Sequence, residues 1–310
     1  MQLVTPVTNV TRVTTFSRRT LLKSAGLTVA AATTAAAVSP AAANAQERRI
    51  LGTVIDYSAG VPSARAVKAA GHLGAVRYVS ERRPGAEWMK GKPVTLAEAR
   101  DFAGQGLATA SVYQFGKGPT ADWLGGAPAA AIHAPKAIAL HKAAGGPAGR
   151  PIYVAIDDNP TLAQFNSLIN PYLTAFGAAL VAAGYKLGVY GNYWTIAWCL
   201  EDGLGSFFWQ HDWGSNGKLH VRANIHQKAG YTGTVDGIPV DINNVYTADW
   251  GQWTPGRAAA PITGLGTQAV ATPNGAATAG AQDRAEALNE LLQAGSELSS
   301  KVDWSSLLKR

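Results

Sequence analysis

One apolar run, residues 151–159 (PIYVAIDDN), constrains this chain of 310 residues more than any other feature. Its β-branched and aromatic residues, bounded by Gly and Pro, predict a strand that is buried on both faces, as in parallel sheets. The run ends in Asp157, Asp158 and Asn159, so polar groups follow the carboxyl end of the strand. Functional groups of barrels and open parallel sheets cluster at that end, which makes these three residues the first site candidates.

Short apolar runs alternate with helical patterns along the first part of the chain. Strands that are each followed by a helical pattern are predicted at residues 51–56, 74–80, 107–115, 151–157 and 184–191. Further strands, too closely spaced for full crossover helices, are predicted at residues 206–210, 223–227 and 239–243. The pattern predicts an α/β fold, a TIM-like (β/α) barrel with five regular βα units and three closing strands. A doubly wound open sheet is the alternative.

Residues 1–45 predict an export signal rather than part of the fold. A twin-arginine motif at residues 17–23 (SRRTLLK) precedes a weakly apolar Ala/Thr segment and a small-residue cleavage site at residues 43–45 (ANA). An uncleaved membrane anchor is the alternative, but a span needs about 20 strongly apolar residues. We therefore expect a secreted or cell-envelope protein, exported by the twin-arginine pathway, with no stable membrane span after cleavage.

The rest of the chain divides into three predicted segments. Residues 46–253 form the barrel, and a Pro-, Gly- and Ala-rich stretch at residues 254–281 reads as a flexible linker. Residues 282–310 show helical periodicity, with a leucine-rich face among acidic residues. Because an acidic helix is a poor lipid ligand, this helix is expected to pack or self-associate rather than bind a membrane.

Charge and motifs exclude several classes of function. The net charge is +7, but four basic residues and no acidic residue lie in residues 1–45, which leaves +3 for the remainder and argues against nucleic-acid binding. The chain lacks nucleotide-binding glycine loops and the HExxH zinc motif, and the spacing of His211, His220 and His226 matches no standard site, so we predict no cofactor and no metal. A single cysteine, Cys199, excludes an intramolecular disulfide.

Acidic residues at the ends of three predicted strands form the candidate catalytic site. In a closed barrel the first, fourth and eighth strands bring Asp56, Asp157, Asp158 and Asp241 to one rim, with Asp241 beside Asp56. Carboxylates placed close together raise one another's pKa, so one site can hold both an acid and a base at neutral pH.

Other polar and aromatic residues near strand ends are candidates for sugar binding. Aromatic rings beside carboxylates suit stacking against sugar rings, although many aromatics could instead fill the barrel. The candidate substrate-binding residues are Tyr57, Arg77, Gln114, Asn159, Tyr190, Trp209, Gln210, Trp213 and Gln227.

Five segments together resemble the secreted, glycoside-hydrolase-like barrels known as domain of unknown function 1906, over about residues 50–250. They are residues 52–57 (GTVIDY), 76–79 (VRYV), 152–157 (IYVAID), 188–191 (GVYG) and 240–243 (VDIN). The chain is more distantly similar to the family 25 lysozymes. That resemblance implies a carboxylate site at Asp56, Asp157 and Asp241, but the lysozyme proton donor, a Glu, falls on Asn159, whose amide cannot act as a general acid.

The expected function is hydrolysis of cell-wall, peptidoglycan-type or related polysaccharide. Asp157 or Asp158 would donate the proton, and Asp56 or Asp241 would act as base or electrostatic stabiliser. A non-catalytic carbohydrate-binding protein of the cell envelope is the alternative. A third hypothesis places the function in the C-terminal helix, with a purely structural rim.

Overall fold

The computed structural model describes residues 48–262. The predicted export signal, the predicted C-terminal helix and most of the predicted linker lie outside the described residues. Within the described part, no helix is long and apolar enough to cross a membrane.

Eight strands close into a barrel, which confirms the predicted fold. Neighbouring strands are parallel from the first to the seventh, and the third pairs with the fourth. The eighth strand is antiparallel to both the seventh and the first, and so closes the sheet. The strands are β1 (Gly52–Asp56), β2 (Gly74–Tyr78), β3 (Ala108–Tyr113), β4 (Pro151–Ala155), β5 (Lys186–Gly191), β6 (Phe207–His211), β7 (Ile225–Val235) and β8 (Ile238–Val245).

Helices follow each of the first five strands, as predicted. Side chains of Thr95 and Asn192 accept hydrogen bonds from backbone N–H groups three residues later and so begin two of these helices. A π-helical turn (Phe165–Ile169) joins two others into one continuous segment. The helices are α1 (Ala64–Ala69), α2 (Leu96–Gly104), α3 (Gly126–Ala143), α4 (Leu162–Gln164), α5 (Asn170–Ala182) and α6 (Tyr193–Glu201).

The direction of β8 decides which of its residues reach the rim. Because β8 runs opposite to β1, its first residues, rather than its last, lie beside the carboxyl ends of the parallel strands. Asp241 in β8 is the direct partner of Asp56, the last residue of β1. Asp56 and Asp241 are therefore neighbours, as expected. The sequence pattern did not indicate, however, that β8 is antiparallel.

In the described part, buried apolar residues lie in an inner and an outer layer. One lies inside the barrel and includes Val54, Tyr153 and Trp209. The other lies between the barrel and its helices and includes Val154 and Phe176. Neighbouring residues of β4 thus belong to different layers, since successive side chains of a strand point to opposite faces.

A short hairpin extends the sheet beyond residue 253. β9 (Trp253–Thr254) pairs with β3 through Trp253 and Thr109, and β10 (Arg257–Ala258) pairs with β9. The indole of Trp253 donates to the hydroxyl of Ser111 in β3 (3.1 Å) and is fully buried. The start of the segment predicted as a linker therefore packs on the barrel.

Candidate active site

A pocket of about 300 Å³ opens at the carboxyl ends of the parallel strands, where barrel enzymes carry their sites. Its volume is at the lower end of the range for ligand pockets. The residues that line it are Asp56, Ser58, Tyr78, Arg83, Trp88, Met89, Lys92, Val112, Gln114, Lys117, Asp157, Tyr190, Trp209, Gln227 and Asp241.

Asp56 lies in the pocket wall, and its carboxyl group is held by two amides. Oδ2 of Asp56 accepts hydrogen bonds from Nε2 of Gln227 (2.9 Å) and Nδ2 of Asn243 (2.8 Å). The indole of Trp209, which can only donate, donates to Oδ1 of Asn243 (2.8 Å), so the amide of Asn243 must present its NH₂ group to Asp56. The hydroxyl of Tyr190 orients Gln227 in the same way.

The environment of Asp56 favours its protonated form. Asp56 is only 2% exposed, and this burial, followed by the nearby charge of Asp241, raises the pKa of its carboxyl group to about 7. The two amide donors oppose the shift but do not cancel it. Desolvation also raises the pKa of Asp241. The pocket therefore contains a carboxyl group that gives up its proton only near neutral pH, well above the range of an ordinary Asp.

Asp157 is held differently, by a cation. Its Oδ2 accepts from Nζ of Lys117 (2.7 Å) and from Nε2 of Gln114 (3.1 Å). Among the described residues, no hydrogen-bond donor contacts Oδ1 of Asp157 or Oδ1 of Asp56. Each of the two carboxyl groups thus has one oxygen fixed by donors and one left for a ligand.

A second side of the pocket comes from the segment between β2 and α2, which the sequence analysis did not identify. Arg83, Trp88 and Lys92 lie on this segment. Nζ of Lys92 donates to the carbonyl of Gln114 (2.8 Å) and lies 3.8 Å from the centre of the Tyr78 ring. Burial lowers the pKa of Lys92 to about 7. The only sequence signal was a long loop after a strand end, where barrels commonly place ligand contacts.

Arg77 and Tyr57 do not line the pocket, contrary to their selection as sugar contacts. Nε of Arg77 contacts Oε1 of Glu98 (2.5 Å), and its other nitrogens donate to the carbonyls of Tyr57 and Gly91. The hydroxyl of Tyr57 donates to Glu98 as well (2.7 Å). Because neighbouring side chains alternate along β2, Tyr78 faces the pocket and Arg77 faces the helices.

Four further candidates also lie outside the pocket lining. Asp158 accepts a hydrogen bond from the indole of Trp123 (2.8 Å), and burial raises its pKa. Asn159 accepts from the side chain of Asn192 (3.0 Å), which caps α6. Gln210 is fully buried and bonds to backbone groups of the loop that follows β6. Trp213 is 57% exposed on that loop.

The candidates that the structure does bring together in the pocket come from seven different strands or their ends. They are Asp56, Gln114, Asp157, Tyr190, Trp209, Gln227 and Asp241. Within residues 48–262, no three His, Cys, Asp or Glu side chains converge as a metal site requires. His226 instead forms a pair with Asp212 (2.6 Å).

Comparison with known sequences identifies one family. A family model described as "Rv2525c-like, glycoside hydrolase-like domain" matches residues 65–245, which is more than half of the chain. The Mycobacterium tuberculosis (strain ATCC 25618 / H37Rv) protein named "Putative peptidoglycan hydrolase Rv2525c" is 52% identical over 204 residues. This match covers 66% of the present chain and 84% of that protein.

Comparison with solved structures leads to the same protein. The crystal structure of the M. tuberculosis Tat-secreted protein Rv2525c in complex with L-tartrate has a TM-score of 0.63 at 51% identity, covering 66% of the present chain and all of that chain. A second crystal form, in complex with HEPES, has a TM-score of 0.62 at 51% identity and covers 66% of the present chain and 99% of that one. The barrel fold is therefore shared with an experimentally determined structure.

Proposed function

The chain belongs to the Rv2525c-like, glycoside hydrolase-like domain family, and from this membership we propose that it hydrolyses glycosidic bonds in peptidoglycan-type cell-wall polysaccharide. The observation that carries the proposal is a pair of carboxyl groups in one pocket, one favoured in its protonated form and the other bound to a cation. Glycosidases require such a pair, because one carboxyl group must donate a proton while the other, as a carboxylate, acts as base or nucleophile.

Asp56 is the proton donor in this proposal. Its Oδ2 receives two amide N–H groups, so the proton belongs on Oδ1. The pKa of about 7 matches a general acid that works near neutral pH. From sequence alone the expected donor was Asp157 or Asp158. We assign the role to Asp56 instead, because Asp157 is paired with Lys117 and Asp158 lies outside the pocket lining.

Asp157 is the carboxylate partner. As the bond between the anomeric carbon and the glycosidic oxygen breaks, Asp56 transfers its proton to that oxygen. The hydroxyl of a water molecule adds to the anomeric carbon, and the remaining proton of that water returns to the pair of carboxyl groups. Asp241 acts through its charge, which contributes to the raised pKa of Asp56 and so keeps the acid protonated.

Export through the twin-arginine pathway is part of the same proposal. The motif at residues 17–23 supports it, and the related M. tuberculosis protein is described as Tat-secreted. A cell-wall substrate requires this location. We also keep as proposals the linker at residues 254–281 and the self-associating helix at residues 282–310. The first residues of that linker belong to the barrel, because they form the hairpin of β9 and β10.

Binding of glycan without cleavage is the second candidate. It is favoured by Asn159, an amide at the position where the family 25 lysozymes carry their proton donor. The exposed indole of Trp88 at the pocket mouth would suit a binder as well as an enzyme, since it offers a flat face for a sugar ring.

Release of reducing ends from purified peptidoglycan by residues 46–310 tests the two candidates. We expect release by the wild-type protein and a loss of about 10²- to 10⁴-fold in Asp56→Asn, the usual contribution of a general acid. Asp202→Asn is the matched control, because Asp202 is exposed at the end of α6 and outside the pocket lining. No release by the wild type, together with retained binding to peptidoglycan, would reject the enzyme and support the binder.

A further inference from the structure

The proposed reaction leaves two cations in the pocket without a role. Arg83 and Lys92 both lie on the segment between β2 and α2 and both line the pocket. The other two Lys or Arg side chains that are buried in the described part, Arg77 and Arg150, each have an acidic partner: Arg77 pairs with Glu98 and Arg150 pairs with Asp249. Lys117, in the pocket itself, pairs with Asp157. Arg83 and Lys92 differ from all of these.

Lys92 is a buried amino group without a carboxylate partner in the described part of the chain, and it is an ammonium ion below its pKa of about 7. The residue is 6% exposed, and no carboxylate of the described residues lies within ion-pair distance of its Nζ. Of its three N–H donors, one is accounted for by the carbonyl of Gln114, and the ring of Tyr78 provides a further weak attraction. Burying a charge without a partner is costly, which is why burial lowers the pKa of Lys92 to about 7, and an anion bound beside Nζ would supply the missing partner.

Arg83 adds a second unpaired charge on the same side. Its recorded polar contact is a long one, from NH1 to the sulfur of Met89 (3.9 Å), and no acidic group of the described residues pairs with it. The guanidinium also repels the ammonium of Lys92 and contributes to the lowered pKa of that residue. An anion between the two would replace this repulsion by two attractions, and a guanidinium offers parallel N–H groups that fit a carboxylate.

We infer that Arg83 and Lys92 form an acid-recognition subsite, which binds the carboxylate of a sugar residue while its ring lies against the Asp56 and Asp157 side. This inference rests on the proposed function for the orientation of the sugar. In peptidoglycan the lactyl carboxylate of N-acetylmuramic acid is free only where the peptide has been removed. The preferred substrate would then be glycan without peptides, and a hydrolysis of the lactyl–peptide amide bond must come before this reaction.

Calorimetric titration of the full mature chain with matched sugars tests the subsite. The probes are N-acetylmuramic acid and its methyl ester, which differ by one methyl group and by the negative charge. We expect the acid to bind at least about tenfold more tightly, as for one charged hydrogen bond. Lys92→Met and Arg83→Gln should each reduce this preference. Lys90→Met and Arg82→Gln are matched controls on the same segment, both exposed and outside the lining, and should retain it.

Folding of the variants is checked by thermal unfolding, and Lys92→Met should remain folded because the hydroxyl of Ser80 still donates to the carbonyl of Gln114 (2.6 Å). Equal binding of acid and ester, binding of neither, or an equal effect of Lys90→Met would overturn the inference. Reducing-end assays on intact and peptide-free glycan separate the two proposals. A preference for the acid without bond cleavage would reject the proposed hydrolase and support the subsite. Bond cleavage without that preference would support the hydrolase and reject the subsite.

Discussion

The two sides of the pocket are built in different ways. The strand side carries Asp56, Asp157 and Asp241 at or beside strand ends, and neighbouring strands hold Asp56 through two amide hydrogen bonds. The loop side carries Arg83, Trp88 and Lys92, whose charged groups have few polar partners and whose indole is 53% exposed. A rigid frame suits atoms that must be placed accurately for bond breaking, while a loop suits recognition. We therefore assign the chemistry to the strand side and selection to the loop side.

The largest effect that this division predicts separates two adjacent acids. Asp157→Asn should lower kcat by about 10²- to 10⁴-fold, because it removes the proposed carboxylate partner of Asp56. Asp158→Asn should leave kcat nearly unchanged, since Asp158 lies outside the pocket lining and bonds to Trp123. Reducing-end release measured at saturating substrate checks both variants. A large loss in Asp158→Asn with an active Asp157→Asn protein would move the chemistry away from the pocket.

Arg77 tests the comparison in another way, because it lies on strand β2 but outside both sides of the pocket. Arg77→Met should lower the free energy of unfolding by about 3–5 kcal/mol, the usual cost of leaving a buried carboxylate, here Glu98, without its partner. Urea unfolding gives the value. The double variant Arg77→Met/Glu98→Leu should recover part of the loss, because it leaves no unpaired charge. A stable Arg77→Met protein that has lost sugar binding would instead return Arg77 to the site.

The positions of these residues also indicate what the sequence could predict. The alternation of apolar runs and helical patterns was sufficient for the barrel, and closure of the barrel was sufficient to group Asp56, Asp157 and Asp241. The phase of β2 was not predictable, because a strand buried on both faces has no polar alternation to show which of Arg77 and Tyr78 faces inwards. The loop side was missed because loop residues follow no period that sequence analysis can detect.

The pKa shifts predict that the two sides respond oppositely to pH. The pKa of Asp56 is raised by burial to about 7, whereas an unfolded Asp titrates at roughly 3.9. Between these values the folded protein keeps a proton that the unfolded chain has lost, so this group makes stability fall as pH rises. The pKa of Lys92 is lowered by burial from 10.5 to about 7, so between these values the unfolded chain holds the extra proton and stability rises with pH.

Urea unfolding at a series of pH values isolates the two contributions. Asp56→Asn should remove the fall between about pH 4 and 7, and Lys92→Met should remove the rise above about pH 7, each with a slope of at most about 1.4 kcal/mol per pH unit. Titrating groups outside the pocket are common to the wild type and both variants, so their contribution cancels; Asp241, whose charge acts on Asp56, is the exception. If the curves of unfolding free energy against pH were parallel for the wild type and both variants, the pKa of neither Asp56 nor Lys92 would be shifted in the folded protein. The opposite pH responses of the two sides would then be wrong.

Trp88 should affect binding more than catalysis. Trp88→Ala removes the exposed indole at the pocket mouth and should raise KM by about three- to tenfold, the usual range for an aromatic contact, with kcat little changed. Trp213→Ala is the matched control, since Trp213 is similarly exposed but outside the lining. Steady-state kinetics on soluble glycan fragments distinguishes the two constants. A fall in kcat with constant KM would show that the loop side takes part in the chemistry.

Lys117 should give the smallest effect, although it lines the pocket and contacts a proposed catalytic carboxylate. It lies on the loop after β3 and pairs with Asp157, but its side chain is 57% exposed, and exposed ion pairs contribute about 0–1 kcal/mol. Gln114 still donates to Oδ2 of Asp157 when the ammonium is removed. Lys117→Gln should therefore lower kcat by no more than about fivefold, and added salt should reduce wild-type activity in a similar way. A loss as large as that of Asp157→Asn would mean that a loop cation places the catalytic carboxylate, and the division between a rigid catalytic side and a selective loop side would fail.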